Sequence, residues 1–145
     1  MRLLVVPFIL QALIMFLDEE FHKKRNLGAW ERLGHPLDTM TVLLPVLFTV
    51  FYPYTESSAQ TYVSLAIFSC LFITKDEFIH ARVCSPGEHW LHALLFILHP
   101  LVFLATFIFW EEGGSEAFLI AQSVLTVLFF MYQILRWSIP WKLMK

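Results

Sequence analysis

Five apolar runs, at about 2–17, 37–54, 59–74, 90–110 and 117–135, restrict this chain more than any other feature. They are separated only by short polar connections. Charged residues make up 15% of the sequence and hydrophobic residues 58%, against about 25% charged in an ordinary soluble domain. A chain of 145 residues with that balance has room for one domain, and it belongs in a bilayer. The runs at 2–17 and 59–74 are short against the roughly 20 residues a transmembrane helix needs. Each reaches full length only if its helix continues into the acid- and histidine-rich segment that follows. The expected fold is therefore all-α and integral to the membrane, with five transmembrane helices. The N-terminal run resembles a signal sequence, but it lacks a small-residue cleavage site before Asp18 and is expected to be retained.

Basic residues set the expected orientation. Lys23, Lys24, Arg25 and Arg32 fall in the first connection, Lys75 and Arg82 in the third, and Arg136, Lys142 and Lys145 at the C-terminus. Arg2 alone lies on the other side. That asymmetry predicts an external N-terminus and a cytoplasmic C-terminus, with Trp30, Trp90, Trp137 and Trp141 in an inner aromatic belt and Trp110 in an outer one. Neither cysteine, Cys70 or Cys84, has the setting of a disulfide framework, and both are expected as thiols.

The first and third connections repeat each other. Asp18-Glu19-x-x-His22, then Glu31-x-x-x-His35, faces Asp76-Glu77-x-x-His80, then Glu88-x-x-x-His92. Each intervening stretch holds a turn signal, Asn26-Leu27-Gly28 in one and Ser85-Pro86-Gly87 in the other. Four such matches arise by chance about once in 10³ trials when a gap is allowed. The unit is a helical hairpin: repeat one at about 1–54, repeat two at about 59–110, and an extra helix at about 117–138. Together they make one transmembrane domain over 1–145, two hairpins forming a four-helix bundle with a fifth helix alongside. All six histidines lie in or near the two bends, along with eight of the twelve acids.

In the spacing of its acids and histidines the chain resembles the ferritin-like di-iron and di-manganese carboxylate proteins. In these, two helices each give a Glu and two others each give a Glu-x-x-His. The resemblance covers the ligand pattern alone. It implies two divalent metal ions, with iron favoured and zinc or manganese as alternatives, held by Glu19, His22, Glu31, His35, Glu77, His80, Glu88 and His92. The chain departs from the pattern in carrying four histidines where two are expected. It also lacks the histidine boxes of membrane desaturases.

Two divalent cations would neutralise four carboxylates that are costly at membrane depth. Asp18 and Asp76, each four residues before a histidine, are placed to accept the far imidazole N–H and fix its tautomer. Asp38 and His99 are reserve ligands, and His89 and Cys84 read as bystanders. His35 is the weakest ligand, because Pro36 disfavours helical geometry at the residue before it.

The function these residues imply is a membrane-embedded di-iron oxidoreductase acting on oxygen or a lipid-soluble substrate at the cytoplasmic leaflet. A zinc- or manganese-dependent lipid hydrolase is one alternative. A non-enzymatic metal-stabilised accessory or metal-handling protein is another. The expected surroundings are the lipid bilayer, with the metal site near its cytoplasmic face. Nothing in the chain suggests nucleic-acid binding.

Overall fold

A computed structural model describes residues 2–25, 27–113 and 116–138. Asn26 of the first turn, Trp141, Lys142 and Lys145 lie outside the described residues. The described chain is helical, with no strand. A 3-10 turn at Arg2–Val5 leads into α1 (Val6–Arg25). Then come α2 (Ala29–Phe51), α3 (Glu56–Phe72), a second 3-10 turn (Ile73–Asp76), the short α4 (Glu77–Val83) and α5 (Pro86–Glu112). The last helix, α6 (Glu116–Gln133), ends in a π turn at Ile134–Ser138.

Three helical segments are long and apolar enough to cross a membrane: Ala29–Phe51, Pro86–Glu112 and Glu116–Trp137. α1 carries Asp18, Glu19, Glu20 and Lys23 in its last turns, and α3 has 17 residues, about 25 Å of helix.

The helices do not pack as two self-contained hairpins. α1 lies against α5, α2 against α3 and α6, and α3 against α5, so each repeat seats its helices on the other. At the end remote from the bends, Phe8, Val46, Tyr62, Phe103, Phe109 and Trp110 form a buried aromatic and aliphatic core. Tyr62 and Trp110 are accommodated there because each polar tip is satisfied. The Tyr62 hydroxyl donates to the Phe103 carbonyl at 2.8 Å and the Trp110 indole to the Tyr52 carbonyl at 2.9 Å. Trp110 and Trp137 are buried, while Trp30 and Trp90 are exposed.

The helix starts at the two bends are specified locally. Ser85 caps α5, its hydroxyl accepting from the Glu88 amide while Glu88 accepts from the Ser85 amide, and Pro86 occupies the first turn. Glu31 plays the matching part in α2, accepting from the Gly28 amide at 3.0 Å. Both glutamates are therefore third in their helices, where a carboxylate also meets the positive end of the helix dipole. α2 runs unbroken through Pro36 and Pro45. Glu31 and His35 consequently share one helix, contrary to the expectation from Pro36. The proline removes one amide hydrogen bond, and the tight packing of α2 against its neighbours outweighs that loss.

Candidate metal centre

Four buried or nearly buried imidazoles meet where the two bends face each other. His22 and His35, from repeat one, have ring centroids 4.5 Å apart; His80 and His92, from repeat two, are 4.3 Å apart. Across the repeats, His35 to His80 is 6.2 Å and His22 to His92 is 6.3 Å. The carboxylates follow the same two-fold pattern. His22 Nε2 lies 3.6 Å from Glu88 and His80 Nε2 lies 3.5 Å from Glu31. Each repeat's histidine thus approaches the other repeat's glutamate.

Every one of these four histidines has a buried ring nitrogen without a hydrogen-bond partner: Nε2 of His22, His35 and His80, and Nδ1 of His92. Buried polar atoms are rarely left unsatisfied, and each costs about 1–3 kcal/mol. Four in one place is the chemistry of a donor set for a cation.

The donor atoms fall into two groups that share no residue. Asp18, His22, Glu88 and His92 each offer one atom within 4.8 Å of the others, and so do Glu31, His35 and His80. A third set, His80, Cys84 and His92, is equally close and takes one histidine from each of these groups. Burial and the nearby Glu88 push the Cys84 thiol up to about 12, so at neutral pH it is protonated. His80 is shifted the other way: burial and the adjacent His92 lower its pKa, which keeps it in the neutral form that binds metals.

Six of the eight expected ligands are therefore together, and two are not. Glu19 is turned toward α6, accepting from the Tyr132 hydroxyl at 2.6 Å and the Trp137 indole at 3.3 Å. Asp18 takes its place, 3.1 Å from His92 Nε2 and 3.4 Å from His22 Nε2. Consecutive residues of a helix point about 100° apart, and α1 packing on α5 directs Asp18 inward. Glu77 is half-exposed, 3.8 Å from His89.

Asp76, expected to orient His80, instead accepts from Trp30 at 2.6 Å and Lys75 at 2.8 Å. Its approach to α2 depends on Gly34, where a Cβ would sit 2.8 Å from an Asp76 oxygen. Asp38 pairs with Lys75 at 2.6 Å. His99 lies in a buried relay, Nε2 to Ser69 at 3.0 Å and Ser69 to Thr41 at 3.0 Å.

The principal residue missed by reading spacings is Arg25. Its guanidinium spans the two bends, with Nη1 3.1 Å from Glu31 and Nη2 3.0 Å from Glu88. Val83 occupies the equivalent position in the second repeat, so a search for matched residues passes over it. Its position three residues after His22, on the same helix face, was the available signal. With Arg25 counted, the three carboxylates of the cluster (Asp18, Glu31 and Glu88) keep a formal charge of −2. Compared with known protein families, curated proteins and solved structures, the chain matches none of them.

Proposed function

We propose that this chain is a five-span membrane protein that holds two divalent metal ions at its cytoplasmic end and uses them as an iron-dependent oxidoreductase on oxygen or a lipid-soluble substrate. The observation that carries the reading is the set of four buried histidine nitrogens lacking partners around three carboxylates. A five-span arrangement is supported by the extensions of the two shorter helices. α1 is preceded by the turn at Arg2–Val5, and α3 continues through Ile73–Asp76 into α4. The basic residues of the bends favour the cytoplasmic side for the centre.

The residues fit a pair of cations better than a plain charged bend would. One donor group has four members and could enclose an ion; the other has three, which leaves a position open in the manner of catalytic centres. Nitrogen and oxygen donors of this kind suit iron, manganese or zinc. Bound metal would supply Lewis acidity and, if iron, one-electron chemistry. The chain's own contribution is to hold neutral imidazoles in register, to fix Glu31 and Glu88 through their capping bonds and Arg25, and to surround the centre with apolar side chains that exclude water.

A structural reading is favoured by one feature. Each donor group draws on both repeats, α1 with α5 in one and α2 with α4 in the other, so an ion in either would clip the repeats together. Metal analysis of the full chain purified in detergent separates the readings. Two equivalents of iron with a visible ligand-to-metal absorption band support the oxidoreductase. Two colourless zinc ions whose removal lowers the melting temperature support the clip. Absence of metal after growth and reconstitution with iron, manganese and zinc, with His22→Ala and His80→Ala melting as the parent does, would refute both.

A further inference from the structure

Cys84 follows His80 by four residues, the interval of neighbours on one helix face, and it ends α4 with its amide bonded to the His80 carbonyl at 2.9 Å. Ser85 and Pro86 start α5, and about two turns along it His92 returns beside His80, the two rings 4.3 Å apart. The Cys84 sulfur and a nitrogen of each histidine lie within 4.8 Å of one another. A cysteine at a helix end means little by itself. Here the two imidazoles beside it are each 6% exposed, and His80 Nε2 and His92 Nδ1 have no hydrogen-bond partner.

The set overlaps both donor groups of the centre. His92 belongs with Asp18, His22 and Glu88, and His80 with Glu31 and His35. A neutral imidazole has one lone pair to give, since its other nitrogen carries the proton. An ion held by Cys84 therefore takes His92 from the first group, which keeps three donors, and His80 from the second, which keeps only two. The sulfur sets the kind of ion. Thiolate with imidazole suits zinc and its softer relatives, whereas carboxylate-rich sets suit manganese and iron. The Cys84 thiol is protonated while the site is empty, and a cation entering the set displaces that proton to solvent as the sulfur–metal bond forms.

We infer that His80, Cys84 and His92 form a second, mononuclear metal site for a thiophilic divalent cation, and that its occupation excludes the two-ion state of the centre. The site rests on the same histidines as the metal reading above, but not on their holding two ions. Zinc then enters singly, which the two-zinc clip does not allow, so stoichiometry separates those two.

Metal-free full-length protein in dodecyl maltoside is titrated with cadmium, whose bond to a thiolate absorbs in the ultraviolet, and in parallel with zinc and manganese. The parent should develop the cadmium band to a plateau at one ion per chain and take up one zinc. Cys84→Ser should abolish the band and weaken cadmium binding at least tenfold, with manganese stoichiometry and affinity at the parent level. Cys70→Ser should keep the band. Parent protein loaded with one cadmium should no longer take up two manganese ions.

No band in the parent, a band that survives Cys84→Ser, or one cadmium bound together with two manganese ions overturns the proposal. Asp18→Asn combined with Glu31→Gln removes a carboxylate from each of the other groups and leaves the cysteine set whole, so manganese binding should be lost and the cadmium band kept. A parent that shows the band but never binds iron or manganese would retire the ion pair and leave the cysteine site standing. Two bound manganese ions with no cadmium band would do the reverse.

Discussion

Arg25→Met tests whether a guanidinium and a metal share the task of neutralising the same carboxylates. Arg25 contacts Glu31 and Glu88, whose side chains are 3% and 2% exposed, while its own is 19% exposed. Removing one partner from a buried ion pair costs about 3–5 kcal/mol, because the remaining charge is left without compensation. Here two glutamates lose their partner, and Asp18 adds a third negative charge nearby. The methionine keeps most of the apolar stem, so packing changes little.

In the presence of chelator the variant should be destabilised by about that amount, a fall in melting temperature of roughly 6–20 °C for a chain of this size. Divalent metal should restore much of the loss, since cations can occupy the charge now uncovered. The apparent metal affinity should rise at least tenfold over the parent. Thermal melting in detergent, with chelator and across a metal titration, reads both effects. If Arg25→Met melts with the parent in chelator, the ion-pair argument fails. If it is destabilised but metal gives no recovery, the carboxylates do not face a metal site.

Three further outcomes are expected. Gly34→Ala would place a methyl group 2.8 Å from an Asp76 oxygen, displacing that carboxylate from Trp30 and Lys75; a loss of about 1–3 kcal/mol and a shift in Trp30 emission should follow. Ser85→Ala removes the α5 cap and should cost about 0.5–2 kcal/mol in melting measurements, with metal stoichiometry unchanged. His80 has a folded pKa below its unfolded value near 6.5, so its contribution to stability is complete above that pH and is lost as pH falls toward the folded value. Metal affinity should decline over the same range, because protons compete for the ligand nitrogens. Calorimetric titration between pH 8 and 5 checks this, and affinity that is flat across it would count against imidazole ligation.

Much of the centre could be read from spacing alone. A repeated acid–histidine pattern with i,i+3 and i,i+4 steps puts its members on common helix faces, and His22, Glu31, His35, His80, Glu88 and His92 do converge. Spacing could not choose between Asp18 and Glu19, which are neighbours on one helix; the choice depends on which helix lies opposite. Nor could it foresee that Asp76 would be drawn to Trp30 and Lys75, because the 3-10 turn at Ile73–Asp76 changes the direction of its side chain relative to Asp18. The capping role of Glu88 was legible in Ser85-Pro86-Gly87-Glu88, yet the same residue reads equally well as a ligand.

The sequence by itself determined that the chain is helical and strongly apolar, that its polar chemistry is gathered in two matching bends, and which residue types meet there. Those properties are local: hydrophobic run length, turn residues and helical periodicity need no partner to be expressed. Only the tertiary structure decided how the repeats interleave, with α1 on α5 and α2 on α6, and hence which carboxylates face the histidines. It also decided that Arg25 stands between Glu31 and Glu88, and that a cavity lined by residues of several helices ends at the cluster. Contacts between residues as much as 118 positions apart depend on the relative rotation and depth of packed helices, which no window of sequence contains.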